Sequence, residues 1–283
     1  MLSLNTNAAA LSAQNSVGST QKALSTSMTR LGTSYRVNSA MDDAAGLQIA
    51  TRLNAQTRGM AVAQRNTQNG ISMMQTAEGA FTEVTNILLR MKDLATEASN
   101  GASNADDKTA MQSEYDQLGL ELKNIMTNTK FGGQTLLAGG TMAAAITFQI
   151  GSSAAETMTV NVGTELGDLV TSLGAATANY TAAATGTELT GAANATITLL
   201  ETALGDVGTV RSALGAASNR LDHVYNNLAN MKTNTEQARG RIMDVDYASE
   251  TANMTSKQML MQASTAMLKQ SSSMSQLVMS LMQ

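Results

Sequence analysis

One histidine, His223, and no cysteine limit what chemistry these 283 residues can carry. A Ser-His-Asp triad holds its histidine against both a serine and a carboxylate, and a zinc centre needs several Cys or His ligands. His223 instead stands beside the apolar positions Leu221 and Val224 and reads as a surface or boundary side chain. Without cysteine there are no disulfides, iron–sulfur clusters or thiol nucleophiles. The paired carboxylates Asp42-Asp43 have no complementary ligands around them in sequence, so they read as a helix cap or an ion-pair partner. Asp244-Val245-Asp246 begins like a calcium loop but lacks the later ligands and the glycine that complete one. Gly132-Gly133 and Gly139-Gly140 match no phosphate-loop spacing and read as turns. No catalytic, metal or cofactor site assembles from these residues, and enzyme function is not expected.

Composition points instead to helices that need partners. The chain contains no proline, where average usage of about 5% predicts roughly 14, and proline is what interrupts helices. Aromatics make up 3% of the residues and Met reaches 20, so apolar contacts are many and flexible, as in a helix seam. A net charge of −4 with few aromatics argues against nucleic acid, which requires a basic footprint and stacking platforms. No apolar run approaches the ~18 residues of a membrane span, so membrane insertion is not expected. The start lacks the basic stretch and apolar core of a cleaved signal peptide, its first charge being Lys22. Residues 131–210 hold six acids and no Lys or Arg, which suits a segment turned toward solvent.

Seven-residue spacing dominates the elements. Met74, Phe81, Leu88 and Ala95 form one row and Ala77, Val84, Met91 and Ala98 its companion, an a/d pattern that asks for a partner helix. Turn formers at 99–104 break it, and a second seam follows at Met111, Tyr115, Leu118, Leu122 and Ile125. A third runs from Leu200 through Ala203, Val207, Val210, Leu214, Ala217, Leu221 and Val224 to Leu228 and Met231. Helical throughout, 195–238 would extend about 65 Å. Between the seams, Ile146, Phe148 and Ile150 and then Met158, Val160 and Val162 alternate with polar residues, predicting a β-hairpin near 145–163. Residues 174–196, rich in Ala, Thr and Gly, show no clear period and read as a surface loop or weak helix.

Both ends are uncharged, over 1–21 and 270–283, yet keep helical periodicity. The first carries Leu4, Leu11, Leu24, Met28 and Leu31; the last carries Leu260, Met267, Met274 and Leu281 at sevens, with Leu277 beside them. Neither end is large enough to bury its own stripe, so the two are expected to pair and to pack against neighbouring copies. The fold class is therefore mainly α, an elongated antiparallel helical bundle or coiled coil with one small β-hairpin and paired terminal helices.

Several segments carry a resemblance: Leu4-Asn5-Thr6-Asn7, Arg36-Val37-Asn38-Ser39-Ala40-Met41-Asp42-Asp43-Ala44-Ala45-Gly46, Arg65-Asn66-Thr67-Gln68-Asn69-Gly70-Ile71-Ser72, Asp246-Tyr247-Ala248-Ser249-Glu250 and the closing Ser280-Leu281-Met282-Gln283. In this order they resemble bacterial flagellin over roughly 1–163 and 197–283. The resemblance implies an inner terminal coiled-coil domain from 1–44 plus 240–283, a rod-like helical domain from 45–239, and a short variable loop at 164–196 where larger members carry outer domains. It implies a homopolymer, the flagellar filament, outside the cell, exported without a cleaved signal peptide. Its partners would be the flagellar export apparatus, an export chaperone, the filament cap and hook-associated proteins. A hook–filament junction protein is the alternative within the superfamily. The family's Toll-like receptor 5 contact carries over to Arg90, Leu94 and Glu114, with Arg90 and Leu94 expected to face outward from the seam.

Overall fold

The computed structural model describes residues 7–182 and 185–281, with side chains as far as Ser273. Seven helices occupy most of it: α1 (Ala8–Thr33), α2 (Ala44–Ala98), α3 (Ala105–Asn128), α4 (Gly163–Ala176), α5 (Ala178–Thr181), α6 (Glu188–Met243) and α7 (Tyr247–Leu281). Two short antiparallel pairs join them, β1 (Lys130–Phe131) with β2 (Gln134–Thr135), and β3 (Ile146–Gln149) with β4 (Thr157–Val160). The β1–β2 turn is Gly132-Gly133, whose φ values of +59° and +86° suit glycine. The register of β3–β4 sets Ile146 opposite Val160 and Phe148 opposite Met158, so the alternation read from sequence becomes one apolar face.

Side chains mark the helix ends. Asn7 Oδ1 accepts from Ala10 N at 3.1 Å to cap α1. At α3, Asn104 Oδ1 accepts from Asp107 N at 2.8 Å while Asp107 Oδ2 accepts from Asn104 N at 3.2 Å, a reciprocal capping box. α6 is kinked at Ala192 (φ −148°, ψ 41°), where the Thr196 hydroxyl donates to the carbonyls of Glu188 and Ala192.

The chain divides into two units, Met1–Gln56 with Thr233–Gln283, and Thr57–Lys232. Their limits fall inside α2 and α6. The 57–232 unit holds the main core. Met74, Ala77, Phe81, Val84, Leu88 and Met91 on α2 and Leu200, Ala203, Val207, Val210 and Leu214 on α6 are at most 2% exposed. Tyr115, Leu122 and Met126 bring α3 into the same cluster.

The described residues between 164 and 196, expected as a surface loop or weak helix, are largely helical. α4 buries Leu166, Leu169, Leu173 and Ala176 in the main core, and Tyr180 and Leu189 follow. The leucines run at helical spacing; beyond them the Ala/Thr/Gly composition hides any stripe, and polar contacts hold the backbone instead. Gln112 Nε2 donates to Asp116 Oδ1 and Glu188 Oε2, both at 2.8 Å, and Asn179 Nδ2 donates to Asp116 Oδ1 at 2.8 Å. The amides of Gly186 and Leu189 donate to Asp116 Oδ2 (3.1 Å) and Gln112 Oε1 (2.7 Å). Two side chains one turn apart on α3, Gln112 and Asp116, therefore hold Asn179, Gly186, Glu188 and Leu189 against it.

Candidate assembly interface

The terminal unit is built on α1 and α7, whose contacts run antiparallel: Asn7 Nδ2 donates to Ser271 O at 3.2 Å, Lys257 Nζ donates to Ser27 Oγ at 2.8 Å, and Ser34 meets Tyr247 through their hydroxyls. The covered positions of α1 include Ala10, Ala13, Val17, Thr20, Leu24, Ser27 and Leu31, with Ala23 and Arg30 beside them. Those of α7 are Glu250, Met254, Lys257, Met261, Ser264, Leu268 and Ser271. Each set steps alternately by three and four, the seam of a two-helix pair.

This seam is unusual in what it buries. Ser27, Glu250, Ser264 and Ser271 are its buried members, and its apolar members remain partly exposed. Arg30 reaches Glu250 Oε2 at 3.8 Å and Asp42 Oδ1 at 4.0 Å. Among the described residues, Arg30 Nε and Glu250 Oε1 are buried without a hydrogen-bond partner. In the whole terminal unit the only buried apolar side chains among the described residues are Val37 and Ala50.

Of the predicted stripe residues, Leu24 and Leu31 lie half-buried in the seam. Leu11 and Met28 are each 51% exposed, Leu260 is 57% and Met267 59%, with Met259 also at 59%. The described members of the seven-residue row read at the C-terminus, Leu260 and Met267, thus face outward, and the seam lies at other positions of the same helix. Serine and lysine at seam positions concealed it from a search for apolar periodicity. Leu4 lies outside the described residues, as do the side chains of Met274, Leu277 and Leu281.

The 34–46 connector explains its own sequence. Ser34 takes a left-handed φ of 64°, Tyr35 bridges Asp244, Arg36 N donates to Met243 O at 2.6 Å and Val245 N to Ser34 O at 3.1 Å. Asp42 Oδ2 accepts from Ser39 N (2.9 Å), Asn38 N (3.1 Å) and Ser39 Oγ (3.1 Å), and these bonds, the Ser39 amide foremost, hold its carboxyl below the ordinary aspartate range. Asp43 Oδ1 accepts from Gly46 N at 2.8 Å, at the start of α2. At the start of α7 Asp246 accepts from the Ser249 hydroxyl (2.8 Å) and Ala248 N (3.0 Å), which likewise lower its pKa. Asp42, Asp43 and Asp246 therefore shape the backbone at the connector and at the starts of α2 and α7.

In the other unit, Arg90 and Glu114 are exposed and ion-paired at 2.7 Å. Leu94 does not join them. It is 3% exposed, which corrects the expectation that it faces outward beside Arg90. An a/d seam serves one partner helix, but here α2 meets two: Arg90 bridges to α3, and Lys92 bridges to Glu201 on α6 at 2.9 Å. The apolar stripe widens accordingly and takes in Leu94, leaving Leu89 as the exposed leucine, at 48%.

Two family patterns match the chain, the bacterial flagellin N-terminal helical region over residues 4–142 and the bacterial flagellin C-terminal helical region over 197–282. The chain belongs to the flagellin family. Flagellin A of Vibrio anguillarum is 33% identical across 100% of both chains. Polar flagellin F of Vibrio parahaemolyticus is 33% identical over 95% of this chain and 96% of its own. A solved structure from Vibrio parahaemolyticus assigned to the flagellar hook-associated proteins covers 72% of this chain and 100% of that one, with a TM-score of 0.54. At 16% identity it shares the fold alone and does not favour the junction-protein alternative. This flagellin is a structural subunit of the extracellular flagellar filament, and its work is self-association rather than catalysis. None of its described helices is long and apolar enough to cross a membrane.

Proposed function

We propose that copies of this flagellin join in the filament through the outward face of α1 and α7, at Leu11, Met28, Leu260 and Met267, with Leu24 and Leu31 supporting the pair from inside. One observation carries the reading: the terminal unit buries serines and a glutamate in its seam while its large apolar side chains face out. Covering the exposed part of each such side chain contributes about 1 kcal/mol. Several per copy, repeated along a polymer, offset the ordering of two terminal helices that are marginal alone. Contacts that join unlike surfaces without closing a ring give an open helical polymer. Leu4, Met274, Leu277 and Leu281 extend the same stripe in sequence.

Leu260→Asp with Met267→Asp tests this by seeded polymerisation, followed by electron microscopy. Growth on filament seeds should stop while the thermal unfolding of the 57–232 unit is unchanged. Normal filaments from the double variant would overturn the interface.

Export through the flagellar secretion apparatus with a chaperone, and growth under a filament cap beyond hook-associated proteins, follow from family membership. A receptor reading rests on one further observation: Arg90 and Glu114 stand paired on an exposed surface. A Toll-like receptor 5 contact here uses Arg90, Glu114 and the neighbouring Leu89, with Leu94 beneath them.

A further inference from the structure

The only sulfur in this flagellin is thioether sulfur, from 20 methionines and no cysteine. Burial divides these residues between core and surface, and Met28 on α1 is 51% exposed. Met74, Met91, Met126 and Met142 are at most 1% exposed inside the 57–232 core, whereas Met259 and Met267 on α7 are both 59% exposed. Met41, in the connector between α1 and α2, is 97% exposed. α7 alone carries six methionines, at 254, 259, 261, 267, 274 and 279. Met254 and Met261 sit half-covered in the seam against α1, so the two exposed sulfurs belong to the outward face.

We infer that Met259 and Met267, together with Met28 of α1, form a peroxide-sensitive modification site that stops the subunit from assembling; the inference rests on the interface proposed above. In the reaction the thioether sulfur attacks one oxygen of hydrogen peroxide. An S–O bond forms, the O–O bond breaks, the sulfur is oxidised by two electrons, and the other oxygen leaves as water after taking the proton. The product is a sulfoxide, a strong hydrogen-bond acceptor where an apolar group stood. Nothing in the folded unit resists this change, because all three side chains already face water. The cost falls on association, where the new S=O must lose its hydration next to Leu260 and the neighbouring copy. Core methionines are screened by packing, so the fold survives. Sulfurs covered within a filament are screened too, which confines the switch to subunits that have not yet joined.

The experiment treats the full-length monomer with hydrogen peroxide, maps sulfoxides by peptide mass spectrometry, and measures growth on untreated seeds by light scattering. Conversion at Met28, Met259 and Met267 should slow growth about tenfold, with Met41 reporting the extent of reaction and helical circular dichroism unchanged. The variant Met28→Leu with Met259→Leu and Met267→Leu removes every exposed sulfur of the proposed interface while keeping volume and apolarity; it should grow like the untreated parent and still grow after peroxide. Preformed filaments should show these sites protected, and a methionine sulfoxide reductase should restore growth. Full conversion with undiminished growth overturns the inference, as does a leucine variant that peroxide silences as fully as the parent. Failure of the untreated parent to grow on seeds is a distinct result that removes the interface reading, and this inference with it.

Discussion

Arg90 and Leu94 stand one helical turn apart on α2, yet one reaches solvent and the other reaches the core. Leu94→Ala should lower the stability of the 57–232 unit by about 2–5 kcal/mol in thermal or denaturant unfolding, as for other buried leucines. Arg90→Ala should change it by less than about 1 kcal/mol, since its ion pair is exposed. In a receptor-reporter assay Arg90→Ala should weaken signalling by folded protein, and an unchanged response would remove the receptor reading. Tyr115 is the other residue whose surroundings decide its behaviour. Its hydroxyl donates to Ala176 O at 2.7 Å, and burial, helped by the charges of Glu188 and Asp116, pushes its pKa well above the ordinary tyrosine value. A folded pKa above the unfolded one means the unfolded chain loses its proton first. Stability is therefore held below about pH 10 and falls as pH rises beyond it. Tyr115→Phe should cost about 1 kcal/mol at neutral pH and make the alkaline decline shallower, which unfolding curves at pH 7 and above 10 would measure.

Among the elements, the long helices were legible because their seams are written in apolar residues at heptad spacing. The third seam reappears on α6, buried from Leu200 to Leu221. Its glycines at 205, 208 and 215 face open space with helical backbone, so no packing in the folded subunit requires them. Gly208→Ala should raise monomer stability by about 0.5–1 kcal/mol through a less flexible unfolded chain, read as a higher melting temperature. A loss instead would mean that the helix needs glycine there for a reason the subunit does not show. α4 and α5 were less legible. Their apolar signal is short, and the segment after it is held by Gln112 and Asp116, contacts far apart in sequence that no local period announces. The same limit applied to Leu94, whose burial depends on a third helix.

At the scale of the whole molecule, a large apolar core in one unit contrasts with a terminal unit that buries serine and glutamate and turns leucine and methionine outward. A polymer subunit with this division is stable enough to fold and incomplete enough to associate, which is why the charge and oxidation experiments both read growth. The amino-acid sequence by itself determined the helical class, the β3–β4 hairpin, the lack of catalytic chemistry and, through its terminal motifs, the family. These follow from local periodicity, composition and short contiguous motifs. Only the tertiary structure decided which face of α7 meets α1 and which faces outward. That choice turns on Ser27, Lys257, Glu250 and Ser271, polar side chains that form a seam through specific hydrogen bonds and ion pairs. Apolar periodicity cannot register such a seam, because its members are selected by a partner helix more than 200 residues away in the chain.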